Sequence, residues 1–165
     1  MLGIDNTNFD IKEYEIIAFS CVRNETLRLP YFLEYHRKLG VDKFIFVDNA
    51  STDGTKEYLL SQSDTIVYYT EESYASSSCG IDWLNPLLSK YGTNHWIVTL
   101  EPDELIIYQK CQSVNQKQLT KYLDTLGAHA MKIFLIDMSS DKAISDKHYV
   151  AGEPFLDAGN YFDSD

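Results

Sequence analysis

Continuous apolar runs, separated by segments with helical periodicity, limit the folds open to this chain more than any other feature. Because apolar and polar residues do not alternate within these runs, each predicts a strand that helices cover on both faces. Their alternation with amphipathic helices predicts an α/β fold with an open, mostly parallel sheet and right-handed crossovers. The predicted strands are residues 16–22, 43–48, 65–70, 95–100 and 130–138.

Local signals also mark the helices between these strands. Pro30 suits the first turn of a helix over residues 29–39, and Gly40 suits its end. Asp53 is a candidate cap for a helix that continues through Leu60. The remaining helices are predicted at residues 81–91 and 116–126. The second of them has an apolar stripe of Leu119, Tyr122, Leu123 and Leu126.

Length and charge narrow the possible functions. With 165 residues, the chain is long enough for one domain with a continuous core. Its formal net charge of -11, without a dense basic run, disfavours nucleic acid and anionic membrane surfaces as partners. A divalent cation held between carboxylates and phosphates would still let such an acidic protein bind a phosphorylated ligand.

The cysteines and the hydropathy predict a cytoplasmic protein. Cys21, Cys79 and Cys111 are widely spaced and form no C-x-x-C pair, so we expect reduced thiols rather than disulfides or a zinc site. The polar, acidic N-terminus lacks the features of a signal peptide. No run reaches the roughly 18 apolar residues of a transmembrane helix, so we expect no transmembrane segment.

Polar clusters follow three of the predicted strands. In open α/β sheets, ligands bind beyond the carboxyl ends of the strands, so these clusters form the candidate site. Their members are Arg23, Asn24 and Glu25, then Asp48, Asn49, Ser51, Asp53 and Gly54, then Glu101, Pro102, Asp103 and Glu104.

The third cluster is acidic and is a candidate metal site. If its backbone stays extended, Glu101 and Asp103 project to one side, roughly 6.5 to 7 Å apart at Cα, and Glu104 projects to the other. One carboxylate would bind a cation while the other reaches a ribose hydroxyl or a metal-bound water. Such oxygen ligands suit Mg²⁺ or Mn²⁺. Because a D-x-D-like triplet is short, a solvated acidic turn is the alternative interpretation.

The other post-strand residues have both a functional and a structural interpretation. Asp48 and Asn49 suit the edge of a base or sugar, whereas Ser51 also has the chemistry of a turn. Arg23 suits a phosphate, although a surface ion pair is the more common fate of such an arginine.

Outside these clusters, few residues indicate chemistry. His36, His95, His129 and His148 lack ligand spacing, and His36 falls on the apolar stripe of a helix, where we expect a satisfied core histidine. Tyr74 is a candidate for stacking on a ligand ring. Neither a G-x-G-x-x-G motif nor a Walker loop is present, which disfavours dehydrogenases and P-loop NTPases.

In their order along the chain, these motifs resemble the glycosyltransferase family 2-like proteins. The resemblance covers nearly the whole chain from Glu15 and implies a GT-A fold, which is a Rossmann-like three-layer sandwich. It implies an N-terminal extension at residues 1–14 and one nucleotide-sugar-binding domain at residues 15–165, without most of the C-terminal acceptor-binding part. The similar segments are residues 22–25, 35–40, 47–55, 101–104, 149–156 and 161–163.

The resemblance implies transfer of a sugar from a UDP- or GDP-sugar to a hydroxyl of a carbohydrate or glycolipid acceptor. It suggests cell-surface polysaccharide or lipopolysaccharide synthesis at the inner face of the membrane. Asp103 would bind Mn²⁺ or Mg²⁺. Glu101, which stands where the family generally has aspartate, would support the metal or contact the ribose. The nucleotide pocket would be lined by Arg23, Asn24, Glu25, Asp48, Asn49 and Ser51.

Two other functions remain open, because no catalytic base is identified. A non-catalytic nucleotide-sugar-binding or regulatory module would bind the donor without hydrolysing or transferring it. A protein-interaction domain that keeps only the α/β scaffold would bind no nucleotide in the presence of either metal.

Overall fold

The computed structural model describes residues 3–4, 10–141 and 149–162, and it contains an α/β fold. The strands are β1 (Gly3–Ile4), β2 (Ile17–Val22), β3 (Lys43–Asp48), β4 (Thr65–Tyr69) and β5 (Ile97–Thr99). The helices are α1 (Leu29–Leu39), α2 (Thr55–Leu60), α3 (Ile81–Tyr91), α4 (Gln116–Thr125) and α5 (Phe155–Ala158), with a 3₁₀ turn at Ala75–Ser77.

The sheet has the order β1-β4-β3-β2-β5. Strands β4, β3, β2 and β5 are parallel, and β1 pairs antiparallel with β4. The chain moves outward from β2 through β3 to β4 and then returns to β5 on the other side of β2. The strand order therefore reverses between β2 and β5, and such a reversal opens a crevice beyond the carboxyl ends of the strands.

Apolar side chains cover both faces of the sheet. On one face, Ala18 and Val22 of β2 belong to a buried cluster with Phe32 of α1. On the other face, Ile17 and Phe19, also of β2, belong to a second cluster with α3 residues that include Trp83 and Leu87. This arrangement confirms the predicted α/β fold, with helices on both faces of a mostly parallel sheet and three layers in all. In the described part of the chain, no helix has the length and apolarity needed to cross a membrane.

Helix α1 begins and ends where the sequence signals predict. Pro30 lies in its first turn, and Gly40 ends it with a φ of 111°. The Gly40 N–H donates to the carbonyls of His36 and Arg37, so a left-handed residue closes the helix as glycine most readily does.

At α2, the predicted cap lies one residue too early. Gly54 is the N-cap residue and has no side chain to accept a hydrogen bond. The Asp53 carboxylate accepts the Thr55 N–H instead, at 3.0 Å. Asp53, which precedes the N-cap residue, therefore satisfies the backbone N–H of Thr55, the first residue of the helix.

The predicted strand at residues 130–138 is wrong, since the structure describes that segment without any strand. Phe134 is 80% exposed, and a single antiparallel bridge joins Ser139 to Tyr161. An apolar run indicates a tendency towards burial, but it does not provide a neighbouring strand. The neighbouring edge strand, β5, spans only Ile97–Thr99 and is also shorter than the predicted residues 95–100. A three-residue edge offers few ladder hydrogen bonds to a neighbour.

Helix α4 also differs from its prediction. It ends at Thr125 and begins with a capping box between Asn115 and Gln118. Of the predicted apolar stripe, Leu119 and Leu123 are half-buried, whereas Tyr122 and Leu126 are exposed. The helix lies on the rim of the fold, where only part of an apolar stripe finds a surface to cover.

Candidate functional site

A cavity of about 650 Å³ lies at the carboxyl ends of β2 and β5, where the strand order reverses. Seven residues of the three predicted clusters line it, namely Arg23, Glu25, Asn49, Glu101, Pro102, Asp103 and Glu104. Residues from all three post-strand clusters therefore meet in one cavity, as the topology requires.

Asn24 and Ser51 do not line the cavity, because they hold two loops together. Asn24 adopts a left-handed conformation with a φ of 58°, which asparagine tolerates better than most residues. Its N–H donates to the Ser51 hydroxyl at 2.9 Å, and its side-chain oxygen accepts the Thr52 N–H at 2.8 Å. These two bonds join the loop after β2 to the loop after β3.

Asp53 strengthens the same junction. Its carboxylate accepts the N–H of Thr26 at 3.1 Å and both the N–H and the hydroxyl of Thr55, the latter at 2.6 Å. Burial alone would raise the Asp53 pKa, but the hydrogen bonds from Thr55 and Thr26 outweigh it and lower that pKa to about 2. Asp53 therefore has a structural role, as its turn chemistry indicates.

Replacing Asp53 by alanine should lower the free energy of unfolding by about 1 kcal/mol near neutral pH, since several loop donors lose their acceptor. Because the folded-state pKa is depressed, this contribution is present above the ordinary pKa of 3.8 and is lost as the pH falls towards 2. Urea unfolding of the wild type and Asp53→Ala across that range measures it. A deficit in the variant that stays constant down to the lowest pH would contradict the assignment.

Two acceptor atoms at the end of β3 are buried without a donor. The Asp48 side chain accepts the Ser51 N–H at 3.2 Å through Oδ2, and its Oδ1 has no partner in the described structure. The Asn49 amide donates to the carbonyls of Thr70, at 3.2 Å, and Glu72, at 2.9 Å, which leaves its Oδ1 without a donor. Asp48 is fully buried and does not line the cavity, whereas Asn49 does. Buried unpaired acceptors are unusual and favour a ligand or water that donates to them.

The acidic cluster forms a turn, so the extended backbone that would place Glu101 and Asp103 on one side is not present, and the alternative of an acidic turn describes the backbone. The Glu104 N–H donates to the Glu101 carbonyl at 3.1 Å, and the Glu104 carboxylate accepts the Glu101 N–H at 2.8 Å. Pro102 occupies the second position of this turn, which its fixed φ favours. Glu104 therefore stabilises the backbone that carries the other two acidic side chains.

Negative charge accumulates along this wall of the cavity. Burial raises the pKa of Glu101, and the carboxylates of Glu104, Asp103 and Glu25 raise it further. Arg28 offsets part of the charge by donating to Glu25 at 2.8 Å. Asp103 is exposed and makes no hydrogen bond or ion pair with the described residues.

A cation near Glu101 and Asp103 would lower the electrostatic energy of these carboxylates. In the described ranges, however, no three histidine, cysteine, aspartate or glutamate side chains are grouped as metal ligands. Any metal here would take most of its ligands from water and from the bound molecule, as Mg²⁺ commonly does.

The sequence did not single out three residues of the α3 side of the cavity, namely Cys79, Ile81 and Leu84, or Cys21 of β2. The Cys21 thiol lies 3.9 Å from the Gly80 carbonyl. Burial, together with the charge of Glu101, raises the Cys21 pKa to about 12, so the thiol stays protonated. Of these four residues, only Cys21 could have been recognised as a candidate from the sequence, because it lies near the carboxyl end of a predicted strand. Nothing in the sequence indicated that α3 begins beside it.

Of the remaining candidates that the structure describes, His36, His95 and His129 do not line the cavity, whereas Tyr74 does. His36 is fully buried, which confirms its predicted core position, but it is not fully satisfied, because its Nε2 has no partner in the described structure. His148 lies outside the described residues. Tyr74 lines the cavity next to the start of α3.

Neither the protein-family models nor the curated proteins searched contain a match to this chain. The function is therefore inferred from the geometry of the cavity and from the motifs in the sequence.

Proposed function

We propose that this chain is the nucleotide-sugar-binding part of a metal-dependent glycosyltransferase with a GT-A fold. The observation that carries this proposal is the composition of one cavity at the point where the strand order reverses. Glu101 and Asp103 provide negative charge that Arg28 offsets only in part, and Asn49 provides a buried acceptor. A nucleotide diphosphate with a divalent cation has the complementary groups.

The acidic side of the cavity suits a diphosphate only if a cation lies between the two. Without it, the carboxylates of Glu101 and Asp103 would repel the phosphates. Asp103 is the proposed metal ligand because it is exposed and not engaged by the described protein. Glu101 is proposed as a second ligand or as the partner of a ribose hydroxyl. Arg23 lines the same cavity and is proposed to pair with a phosphate oxygen.

The end of β3 suits the nucleoside. Asn49 lines the cavity and its Oδ1 is an acceptor without a donor in the described structure, so it favours a base edge that carries N–H groups. Uracil and guanine both have a ring N–H of this kind. Asp48 does not line the cavity and would act on the pocket only through the loop that it holds at Ser51. Asn24 and Ser51 would act indirectly, by fixing the loops that frame the pocket.

For the reaction, a bound Mn²⁺ or Mg²⁺ would stabilise the charge that develops on the leaving diphosphate. The chain would hold the donor so that an acceptor hydroxyl can attack the anomeric carbon. We propose a carbohydrate or glycolipid acceptor, as in cell-surface polysaccharide or lipopolysaccharide synthesis. The cytoplasm, at the inner face of the membrane, is the proposed compartment, and the free cysteines Cys21, Cys79 and Cys111 suit it.

A non-catalytic nucleotide-sugar-binding module is the second candidate. Transfer requires a group that accepts the proton of the attacking hydroxyl. Among the carboxylates that line the cavity, Glu25 is paired with Arg28, and Glu104 accepts a backbone N–H. Incubation with UDP-sugars and GDP-sugars separates the two candidates, because only the enzyme releases free nucleotide or transfers sugar.

Calorimetric titration with UDP and GDP tests the proposal directly. Each nucleotide is titrated with Mn²⁺, with Mg²⁺ and with EDTA. We expect one nucleotide to bind in the presence of a metal and to bind much more weakly with EDTA. If neither nucleotide binds under any of these conditions, the proposed function is wrong.

A further inference from the structure

The cavity has a charged side and a nearly neutral side. Glu101, Asp103 and Arg23 belong to the charged side, on the loops after β5 and β2. The neutral side is formed by the segment that leads into α3 and by the end of β3, and it includes Tyr74, Ile81 and Asn49. An uncharged, flat part of a ligand fits the neutral side, because it loses little hydration there.

The backbone at Tyr74 is fixed by local hydrogen bonds. Its carbonyl accepts the N–H of Ser77 at 3.2 Å and the N–H of Cys79 at 3.0 Å. These contacts form the 3₁₀ turn and the tight connection into α3. The position of the tyrosine therefore does not depend on a ligand.

The ring of Tyr74 is also held from behind. It lies 6.1 Å from the Trp83 ring, at an interplanar angle of 54°. Trp83 is itself buried, and its indole N–H donates to Glu72 at 3.2 Å. Gly80 lies close to the ring, and a Cβ added to it would be 3.0 Å from the ring carbon Cε2. Only a residue without a side chain allows this close approach.

Despite this support, Tyr74 is 41% exposed, and it lines the cavity. Its hydroxyl makes no hydrogen bond to the described residues. Burial and the nearby Glu101 raise its pKa, so the ring stays neutral. A rigid, half-exposed aromatic ring in a ligand cavity is a low-entropy surface for another planar ring.

We propose that Tyr74 is a binding residue that stacks on the nucleobase of the donor, and this inference rests on the proposed function. Asn49 supports the base rather than the sugar as the stacked group, because it lines the same cavity, has an acceptor without a donor in the described structure, and bonds to the Glu72 carbonyl two residues before Tyr74. A nucleobase can stack on an aromatic ring and donate an N–H from its edge at the same time. The sugar and the diphosphate would then extend towards Glu101 and Asp103.

The test compares Tyr74→Phe, Tyr74→Leu and Tyr74→Ala by titration with UDP and GDP in the presence of Mn²⁺. The phenylalanine variant should bind within about 2-fold of wild type, because the ring remains. The leucine and alanine variants should lose roughly 5-fold to 150-fold in affinity, as expected for removal of one stacked base. The leucine variant keeps an apolar side chain, so it separates stacking from mere space filling.

Two controls make the result specific. Tyr122→Ala removes an exposed tyrosine from α4, outside the cavity, and should leave the affinity unchanged. Inorganic pyrophosphate with Mn²⁺ lacks a base, so its affinity should not change in any Tyr74 variant. Equal loss of pyrophosphate and nucleotide would overturn the inference, since the ring would then only shape the loop.

The outcomes separate this inference from the function on which it rests. If wild-type protein binds UDP or GDP and Tyr74→Leu binds equally well, stacking is wrong and the proposed function stands. If wild-type protein binds neither nucleotide with either metal, the proposed function and the stacking inference both fail. Circular dichroism and thermal melting of each variant verify that the fold is kept.

Discussion

Replacing Asp103 by asparagine should reduce the Mn²⁺-dependent affinity for the nucleotide by roughly 10-fold to 100-fold. Asparagine keeps the size of the side chain but removes the charge, and a neutral amide is a weak ligand for Mn²⁺ or Mg²⁺. The fold should be unaffected, because Asp103 is exposed and has no hydrogen bond to the described residues. Titration in Mn²⁺ and in EDTA measures the metal-dependent part.

Glu57→Gln is the matched control for this substitution. It removes one negative charge from an exposed position on α2, which lines no part of the cavity. It should leave nucleotide affinity unchanged, so a loss in Asp103→Asn alone would be local rather than an effect of net charge. Unchanged affinity in Asp103→Asn would contradict the metal assignment. Higher affinity would mean that Asp103 only repels the phosphates.

Glu101 and Glu104 are expected to behave differently from Asp103. Glu104→Gln should weaken binding less, because a glutamine oxygen can still accept the Glu101 N–H. Glu101→Gln removes a carboxylate whose pKa is already raised by burial and by its acidic neighbours. Glu101→Gln therefore relieves the repulsion among these carboxylates in the free protein, and it also removes the proposed contact of Glu101 with the metal or the ribose in the complex.

Those parts of the fold that depend on local signals could be predicted from the sequence. The strands at Ile17–Val22 and Lys43–Asp48 are buried on both faces, and their residues show this directly. At α1, Pro30 and Gly40 fix both ends by their own backbone preferences. The run at residues 130–138 is equally apolar, but a strand requires a neighbour. Whether that neighbour exists is decided by residues far away in the chain.

The candidate site could be predicted from the sequence only as far as the order and direction of the strands determine it. Topology alone brings Arg23, Glu25 and Glu101 together, because parallel strands end at the same edge. The sequence did not show which polar residues line the cavity and which ones join the loops by hydrogen bonds. Asn24 has the same polar chemistry as Asn49, yet it bonds to Ser51 and Thr52 across a loop, whereas Asn49 Oδ1 accepts no hydrogen bond from the described residues.

The acidic cluster shows why spacing alone misleads. Alternation of side chains holds only for an extended backbone. Pro102 favours a turn, and the Glu104 carboxylate stabilises it by accepting the Glu101 N–H. A side chain expected to project away from the site therefore determines its shape.

The protein should lose stability as the pH falls from 6.5 towards 4, and His36 should cause much of the loss. Its Nδ1 lies 2.8 Å from the Phe32 carbonyl, which only accepts, so the neutral ring carries its proton on Nδ1. Nε2 is buried without a partner in the described structure. Burial lowers the His36 pKa from 6.5 to about 4, although the bond to Phe32 opposes the shift.

The sign of the effect follows from which state binds the proton. Below pH 6.5 the unfolded chain protonates this histidine, whereas the folded protein resists protonation until about pH 4. Protons therefore favour the unfolded state within this window, and the full shift corresponds to roughly 3 kcal/mol. Above 6.5 both states are neutral at this position, so the contribution no longer changes with pH.

Urea unfolding of wild type and His36→Leu across this window tests the assignment. Leucine suits a helix and an apolar core, but it removes the bond to Phe32, so the variant can be less stable at neutral pH. Its stability should nevertheless fall much less between pH 6.5 and 4. His129→Leu removes an exposed histidine and should keep the wild-type slope. If the stability of His36→Leu falls as steeply with pH as that of wild type, other groups cause the acid sensitivity. The slope of the unfolding free energy against pH depends only on the difference in protons bound by the two states, so the lost bond to Phe32 does not affect it.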